Sequence, residues 1–436
     1  MADCSLRFLS STAFCRRPAL VCLAFMALVQ LGPIGCGRGS SESDSTPNEP
    51  PHRDRATSLP SAEQVAAVPD TAVRQAVQAE PKLSPSNELA RGFLHRHERV
   101  RSMPWSIHVL QIDRSRADLA LVTTLSQDRV LGLGPLSEQI RTIPSELGRP
   151  LAAINGSFYC TEREVYAGDP RGLQILRGEL ASGPDAAVCF WIDPKGEPRI
   201  DQVVPQFKAT LASGERFAFG LNEERPANAA VLYTPKLGSS TGTYGGRELI
   251  LERDRENDWL PLRPGQTFTA RVREVRGTGN SRLNSEIMVL SIGPSLVARL
   301  PAVTPGSIIK ISTATSPDLT GVQTAIGGGP RLLRGRQPQP AHEHQGYSRH
   351  PRSAIGWNSK FIFLVIVDGR QRGLSIGMTL QELTDYFLKL GCDEAMNLDG
   401  GGSVEMWIEG DVVSSPCYGY ERPTANGLVL LQKTKP

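Results

Sequence analysis

The alternation of apolar and polar positions becomes regular at Trp105. The stretch WSIHVLQIDRSRADLALVTTL holds two short alternating or β-branched runs around a polar turn, which predicts a pair of strands. LGPLSEQIRTIPSELG reads as a short helix interrupted at Pro144, and RPLAAINGSFYC as an apolar strand that delivers Asn155 and Gly156 to a bend. Between about 185 and 320 the runs AAVCFWID, ATLASGERFAFGLN, AAVLYTPK, RELILERD, TFTARVREVRG, SEIMVLSIG and GSIIKIST are divided by Gly, Pro and Asn clusters, a pattern of antiparallel strands without long amphipathic helices. FIFLVIVDG is continuously apolar, as a strand buried on both faces is, and ends at Asp368 and Gly369. TLQELTDYFLKLGCDEA follows as a helix closed by Gly391, then a short buried strand ending at Asn397-Leu398-Asp399. YERPTANGLVLLQ predicts a terminal strand. The fold class expected is α+β: a strand-rich mixed sheet with a few helices in a single large domain.

Before this pattern the chain has a different character. Residues 1–36 carry Arg7, Arg16 and Arg17, the apolar run ALVCLAFMALVQL and then Pro33-Ile34-Gly35-Cys36, the layout of a signal peptide. The small residue before Cys36 suits a lipoprotein-type cleavage with lipidation of Cys36; cleavage that releases a soluble protein is the alternative. Residues 37–92, rich in Ser, Pro, Glu, Asp and Arg, lack the apolar groups that offset ordering entropy and read as a disordered tether. The domain is expected over 93–436. The chain is therefore expected to be exported, as a membrane-anchored lipoprotein or a periplasmic or extracellular protein.

The net charge of +3 comes from interspersed charges with no basic run, so no nucleic-acid partner is implied. Of the eight cysteines, Cys160, Cys189, Cys392 and Cys417 lie beyond the leader. In an exported protein they would form two disulfides, the local pairs Cys160–Cys189 and Cys392–Cys417 being expected among three connectivities; buried free thiols are the alternative.

No GxxxxGK[ST], strand-GxGxxG-helix, HExxH or GxSxG motif occurs. His95-x-His97 and His342-x-His344 have spacings that can ligate a metal, but both lie in polar segments, and neither a metal nor a cofactor is expected. What remains is a set of polar residues at strand ends beside glycines: Asn155, Arg352, Asp368, Asp399, Ser403 and Arg422. Three glycines, Gly400, Gly401 and Gly402, follow directly on Asp399, and Gly327, Gly328 and Gly329 form a second triplet. A turn needs one or two glycines, so bare backbone beside a carboxylate suggests a ligand's approach; a glycine-rich hairpin with a structural aspartate is the plainer reading. Arginine forks and exposed backbone amides suit a phosphate or carboxylate, although Arg352 and Arg422 paired with Asp368 or Asp399 as structural salt bridges is equally open from the residues alone.

AINGSFY, LYTPKLGSSTGT, AIGGGPRLLRG, HPRSAIGW, VDGR with GMTLQELTDYFLKLGCDEAMNLDGGGS, and RPTANGL are similar, in this order, to segments of the phosphodiester glycosidase family. The resemblance runs from about Trp105 to Leu431. The chain departs from it conservatively at Ser157 in NGSFY, and at Val404-Glu405-Met406 after the second glycine triplet, where the departure puts substrate preference in question. The resemblance implies an exported hydrolase that cleaves the glycosidic bond of a sugar 1-phosphodiester of the N-acetylglucosamine-1-phosphodiester kind, releasing sugar and phosphomonoester. It implies Asp399 as the catalytic carboxylate, Arg352 and Arg422 on the phosphodiester, and Asn155 hydrogen bonding sugar or phosphate. Gly156, Gly328, Gly329, Gly400, Gly401, Gly402 and Ser403 would line the substrate, with Asp368 and Glu421 as rival carboxylates. The partner expected is a sugar-phosphate or glycan substrate, with membrane attachment through Cys36. A non-catalytic protein that binds phosphorylated glycans or cell-surface polymers is the alternative.

Overall fold

The computed structural model describes residues 91–162, 164–256, 259–340 and 348–434. The leader, nearly all of the tether and His342-x-His344 lie outside them. The described chain is strand-rich, with short α-helices at Leu136–Arg141, Pro294–Val297 and Leu380–Lys389.

The strands form several sheets in place of the one expected. A seven-stranded sheet runs Phe93–Val100, Trp105–Asp113, Phe361–Val367, Arg352–Trp357, Glu394–Asn397, Arg331–Arg334, Gln337–Pro338. A five-stranded sheet is built around Arg149–Asn155 and Gly427–Gln432, and another around Thr324–Gly327. The strands of the 208–312 region make an eight-stranded sheet. Among the described pairings only Gly220–Leu221 with Ala230–Tyr233 is parallel. Trp105–Asp113 and Leu119–Thr123 are both strands, but they do not pair with each other. The first joins Phe93–Val100 and Phe361–Val367, whereas the second joins Gly427–Gln432. Each strand has two apolar faces to cover, and only neighbours from distant parts of the chain leave both faces buried.

Phe361–Val367 shows how this works. Ile362, Leu364 and Ile366 point into a core shared by the three smaller sheets, and Phe363, Val365 and Val367 point at the Leu380–Lys389 helix. That helix starts in a capping box between Thr379 and Glu382, which satisfies two amides that the first turn leaves open, and ends before Gly391 at a φ of +77°. Its Leu383 and Phe387 are fully buried against the sheet, worth roughly 2–3 kcal/mol each. The sheet makes room at Gly356, where a Cβ would lie 2.7 Å from the Phe387 ring. Gly427–Gln432 is likewise two-sided, with Leu428 and Leu430 in the shared core and Val429 and Leu431 under the Leu136–Arg141 helix.

The four later cysteines are free thiols, against the expected disulfides. Cys189 is buried in the core between the Thr324–Gly327 sheet and the eight-stranded sheet, where burial pushes its thiol up to about 12; Cys392 is buried under the Leu380–Lys389 helix. Each is held by apolar neighbours in a different core cluster, and Cys417 Sγ instead approaches the Gly401 carbonyl at 3.9 Å.

The three smaller sheets present corresponding strand ends together. Ser106, Asn155, Gly327, Arg352, Asp368, Asn397 and Asn426 mark one end; a cavity of about 910 Å³ lined by Asp113, Leu121, Pro194, Phe361 and Lys433, among others, opens at the opposite end. The large cavity is thus remote from the residues that the motifs single out.

Candidate functional site

Asp399 follows Glu394–Asn397 and is fixed through its backbone. Its amide donates to the Gly156 carbonyl (3.0 Å), its carbonyl accepts from Asn155 Nδ2 (2.8 Å), and the Gly400 amide donates to Oδ1 (2.9 Å). Burial pushes the carboxyl up to about 6; Ser403, the Gly400 amide and the Arg422 charge pull it down by less. The residue as a whole keeps some solvent contact, while its carboxyl sits in a tight recess. Ser403 is buried, with its hydroxyl beside the Asp399 carboxyl and the Tyr159 hydroxyl. Arg422 reaches Asp399 by charge, lies 5.7 Å over the Tyr159 ring and pairs loosely with exposed Glu162 at 3.3 Å.

Asn155 braces the site and does not reach outward. It is buried; Oδ1 accepts from Ser353 Oγ (2.5 Å) and the Glu405 amide (3.2 Å), while Nδ2 holds the Asp399 carbonyl. The direct substrate contact expected of it is therefore replaced by a positioning role. Asn426 does the same beside Gly156. Its Oδ1 accepts from the Ser157 amide (2.8 Å), and a Cβ on Gly156 would come within 2.2 Å of that oxygen.

The glycines are also explained differently. The Gly328 and Gly329 amides donate to Val188 and Asn397 carbonyls, and the Gly400 and Gly401 amides to Asp399 Oδ1 and the Pro351 carbonyl. They are not free to cradle an anion. A Cβ at Gly400 would meet the Pro351 carbonyl at 2.9 Å, and one at Gly402 the Tyr418 ring at 2.3 Å, while Gly401 has a φ of +64° with the Arg370 guanidinium over it. The bare backbone of this triplet is filled by the protein's own atoms.

Cationic side chains stand beside this triplet, Arg370 over Gly401 and Arg352 near Gly400. Arg352 is buried, with Nε donating to the Met378 carbonyl (2.9 Å) and Nη2 to the Ser348 carbonyl (3.1 Å). Burial, then neighbouring Arg370, lowers it to about 10, so it stays charged at neutral pH. Arg370 is exposed and contacts His350 Nδ1 at 3.3 Å. Among the described residues neither Arg352 nor Arg370 pairs with a carboxylate, whereas Arg331 and Arg349 are taken by Glu394 and Glu382.

Glu405, read in the sequence only as a departure from a pattern, is the main residue missed. It is buried, one of its oxygens has no hydrogen-bond partner, and burial followed by the charge of Glu421 pushes it up to about 8. Glu421 is held by Ser137 Oγ (2.6 Å). The signal was present: a carboxylate between Val404 and Met406, in an apolar stretch, must find a partner or keep its proton. Arg370 and the stacked, exposed Tyr418 and Tyr420 were also missed. Asp368, expected near the substrate, has a buried carboxyl that accepts from Ser106 Oγ (2.6 Å) and the Ser415 amide (2.9 Å) and faces His108 at 3.4 Å.

Two carboxyls with raised pKa values, Asp399 near 6 beside Arg422 and Glu405 near 8 beside Glu421, can divide base and acid roles on an anionic substrate. Known proteins share the architecture. A hypothetical protein from Synechocystis aligns at a TM-score of 0.62 and 18% identity over 78% of this chain and 62% of its own, just under two thirds. A candidate exported protein from Burkholderia pseudomallei K96243 aligns at a TM-score of 0.58 and 22% identity over 75% of this chain and 74% of its own. The SPbeta prophage-derived uncharacterized protein YomE of Bacillus subtilis (strain 168) is 39% identical over 83 residues, so the match spans 19% of this chain and 13% of that relative's length. The segment that holds Arg352, Arg370, Asp399, Glu405 and Arg422 lies within residues 266–431, which match the phosphodiester glycosidase family model.

Proposed function

We propose that this chain hydrolyses the glycosidic bond of a sugar 1-phosphodiester, of the N-acetylglucosamine-1-phosphodiester kind, to release free sugar and a phosphomonoester. The observation that carries the reading is the gathering of Arg422, Arg370 and Arg352 around Asp399 and its glycines, within the segment that matches the phosphodiester glycosidase model. At neutral pH Asp399 is largely ionised, while Glu405 beside Glu421 retains a proton. The bond broken is that between the anomeric carbon and the phosphate oxygen, which leaves with the electron pair. A phosphomonoester has a second pKa of about 6 and is a good leaving group, so charge stabilisation matters more than full protonation. Arg422, Arg370 and Arg352 stabilise that charge. Asp399 faces the anomeric carbon as it becomes oxocarbenium-like; a water oxygen then bonds to that carbon and gives up one proton to the ionised carboxylate, while the Glu405–Glu421 pair serves as the proton store. Asn155 and Asn426 hold the strand ends that carry these groups. Tyr418 and Tyr420, exposed beside Gly402, offer aromatic faces for the sugar or the group across the phosphate. The leader and tether fit export, with Cys36 as the point of lipid attachment.

The test is incubation of the purified protein with a panel of sugar 1-phosphodiesters, UDP-N-acetylglucosamine included, with separate assays for free sugar and for phosphomonoester. Stoichiometric release of both, lost in Asp399→Asn, supports the reading. Saturable binding of panel members without turnover assigns the cleft to a glycan-binding protein instead.

A further inference from the structure

Three histidines, a serine and an aspartate meet on the inward face of the seven-stranded sheet, at its Phe93–Val100 edge. His97 and His108 lie opposite each other in the strand pairing and stack with ring centroids 4.0 Å apart; His95 stacks on His108 at 5.4 Å. Asp368 enters from the next strand. His108 Nε2 lies 3.4 Å from Asp368 Oδ2; Ser106 Oγ donates to the same oxygen (2.6 Å) and meets His97 Nε2 at 2.9 Å. One donor atom each from His97, His108 and Asp368 falls within 4.8 Å of the others.

We propose that His97, His108 and Asp368, with Ser106 offering a fourth donor atom, form a binding site for a divalent first-row transition ion, zinc foremost. Two imidazole nitrogens and one carboxylate oxygen match the ligand preference of such ions. With metal–ligand bonds of about 2.0–2.2 Å, donors around a tetrahedral ion sit about 3.3 Å apart. The His108–Asp368 edge already has that spacing. Only His97, an exposed side chain on an edge strand, has to swing in, by roughly 1.5 Å at most.

The outer contacts are of the kind that orient ligands. His95 Nε2 meets His108 Nδ1 at 3.2 Å, so an imidazole that can accept or donate stands behind the ligand and allows the tautomer that frees Nε2 for metal. Asp368 Oδ1 is held by the Ser415 amide (2.9 Å). A plain buried polar network explains the Ser106 and Asp368 bonds, but not two further rings stacked on His108, one of which brings a nitrogen within 4.8 Å of the same carboxylate. Ser415 belongs to the loop that lays Tyr418 over Gly402, so an ion here would brace the rim of the candidate active site from behind. The role is structural and stands apart from the hydrolytic proposal.

The experiment uses the full chain, stripped with a chelator and titrated with ZnCl2, with CoCl2 for its visible absorption and MgCl2 as control. One equivalent of zinc is expected to bind, with a melting temperature about 4 °C higher at a hundredfold excess over Kd. Cobalt should show a visible band that zinc abolishes. His97→Ala, at an exposed position, should fold normally, weaken zinc at least tenfold and lose the band; His108→Gln and Asp368→Asn should do the same where they fold. No saturable zinc binding to the wild type would overturn the proposal, and so would zinc affinity left intact in His97→Ala.

Discussion

Replacing Asp399 by Asn is the perturbation that separates a working carboxylate from a structural one, because the two predict opposite changes in stability. Burial raises this carboxyl from 3.8 to about 6. Between those values the folded protein holds a proton that the unfolded chain has released, so stability is lost as pH rises through the window. Below about pH 4 there is no penalty; above about pH 6 the whole of it is present. Two pKa units correspond to nearly 3 kcal/mol, and the residue's partial solvent contact reduces this to about 2 kcal/mol. Asn cannot ionise and avoids the cost. At pH 7.5 the variant should melt roughly 3 °C above the wild type for a folded unit of this size, and the gap should close at pH 4. Turnover should fall by 10²- to 10⁴-fold, and the acid limb of the wild-type kcat/KM profile should sit near pH 6. The assays are sugar release from the best panel substrate across pH 4–9 and thermal melts of both proteins at pH 4 and 7.5. A variant that keeps a tenth of wild-type turnover, or that melts lower at pH 7.5, would refute a strained catalytic role and leave Asp399 as a brace for its neighbours.

Other expectations follow from the same geometry. Glu405→Gln should flatten the stability loss that the wild type shows between pH 4.5 and about 8, where folded Glu405 keeps its proton and the unfolded chain does not; melts at pH 5 and 8 measure this, and equal slopes in the two proteins would contradict it. Arg422→Lys keeps the charge but loses the planar fork, so kcat/KM on a phosphodiester should drop about 10- to 100-fold while the fold is retained; an unchanged value would remove Arg422 from the anion site. Phe387→Ala should cost about 3–5 kcal/mol in urea unfolding, because the ring fills the gap left at Gly356, and a cost under 1 kcal/mol would show that the contact is loose. A reductant should leave the melting temperature unchanged, since Cys160, Cys189, Cys392 and Cys417 are thiols; a fall of several degrees would reveal a disulfide.

Local features were legible in the sequence, and partnerships were not. The Leu380–Lys389 helix announces itself through Thr379, Glu382 and Gly391, because capping is settled within a few residues. The apolar runs become strands because two faces need cover. Which strands pair is decided by segments hundreds of residues away, so Trp105–Asp113 and Leu119–Thr123, adjacent in sequence, end in different sheets. The same limit governs the site. Asp399, Arg352 and Arg422 stand out as polar groups at strand ends, but their surroundings do not. The amides of Gly328 and Gly401 look available until the carbonyls of Val188 and Pro351 are seen to occupy them. Glu405 looks like a surface charge until Glu421, sixteen positions on, turns out to share its pocket. His97 and Asp368 give no hint of each other, since only the order of strands in one sheet brings them together.

The meeting of strand ends has a further consequence. Asn155 holds the carbonyl of Asp399 across 244 residues of chain, and the Gly329 amide ties a third sheet to Asn397. Neither stitch can form until all three sheets are in place, and contacts between such distant residues are slow to form because long loops must close first. On the proposed function, hydrolytic competence would therefore be a late event in the life of each molecule: a partly assembled chain would hold every side chain the reaction needs and could use none of them. Regain of turnover after dilution from denaturant should lag behind regain of strand signal, which makes the active site its own report that assembly is complete.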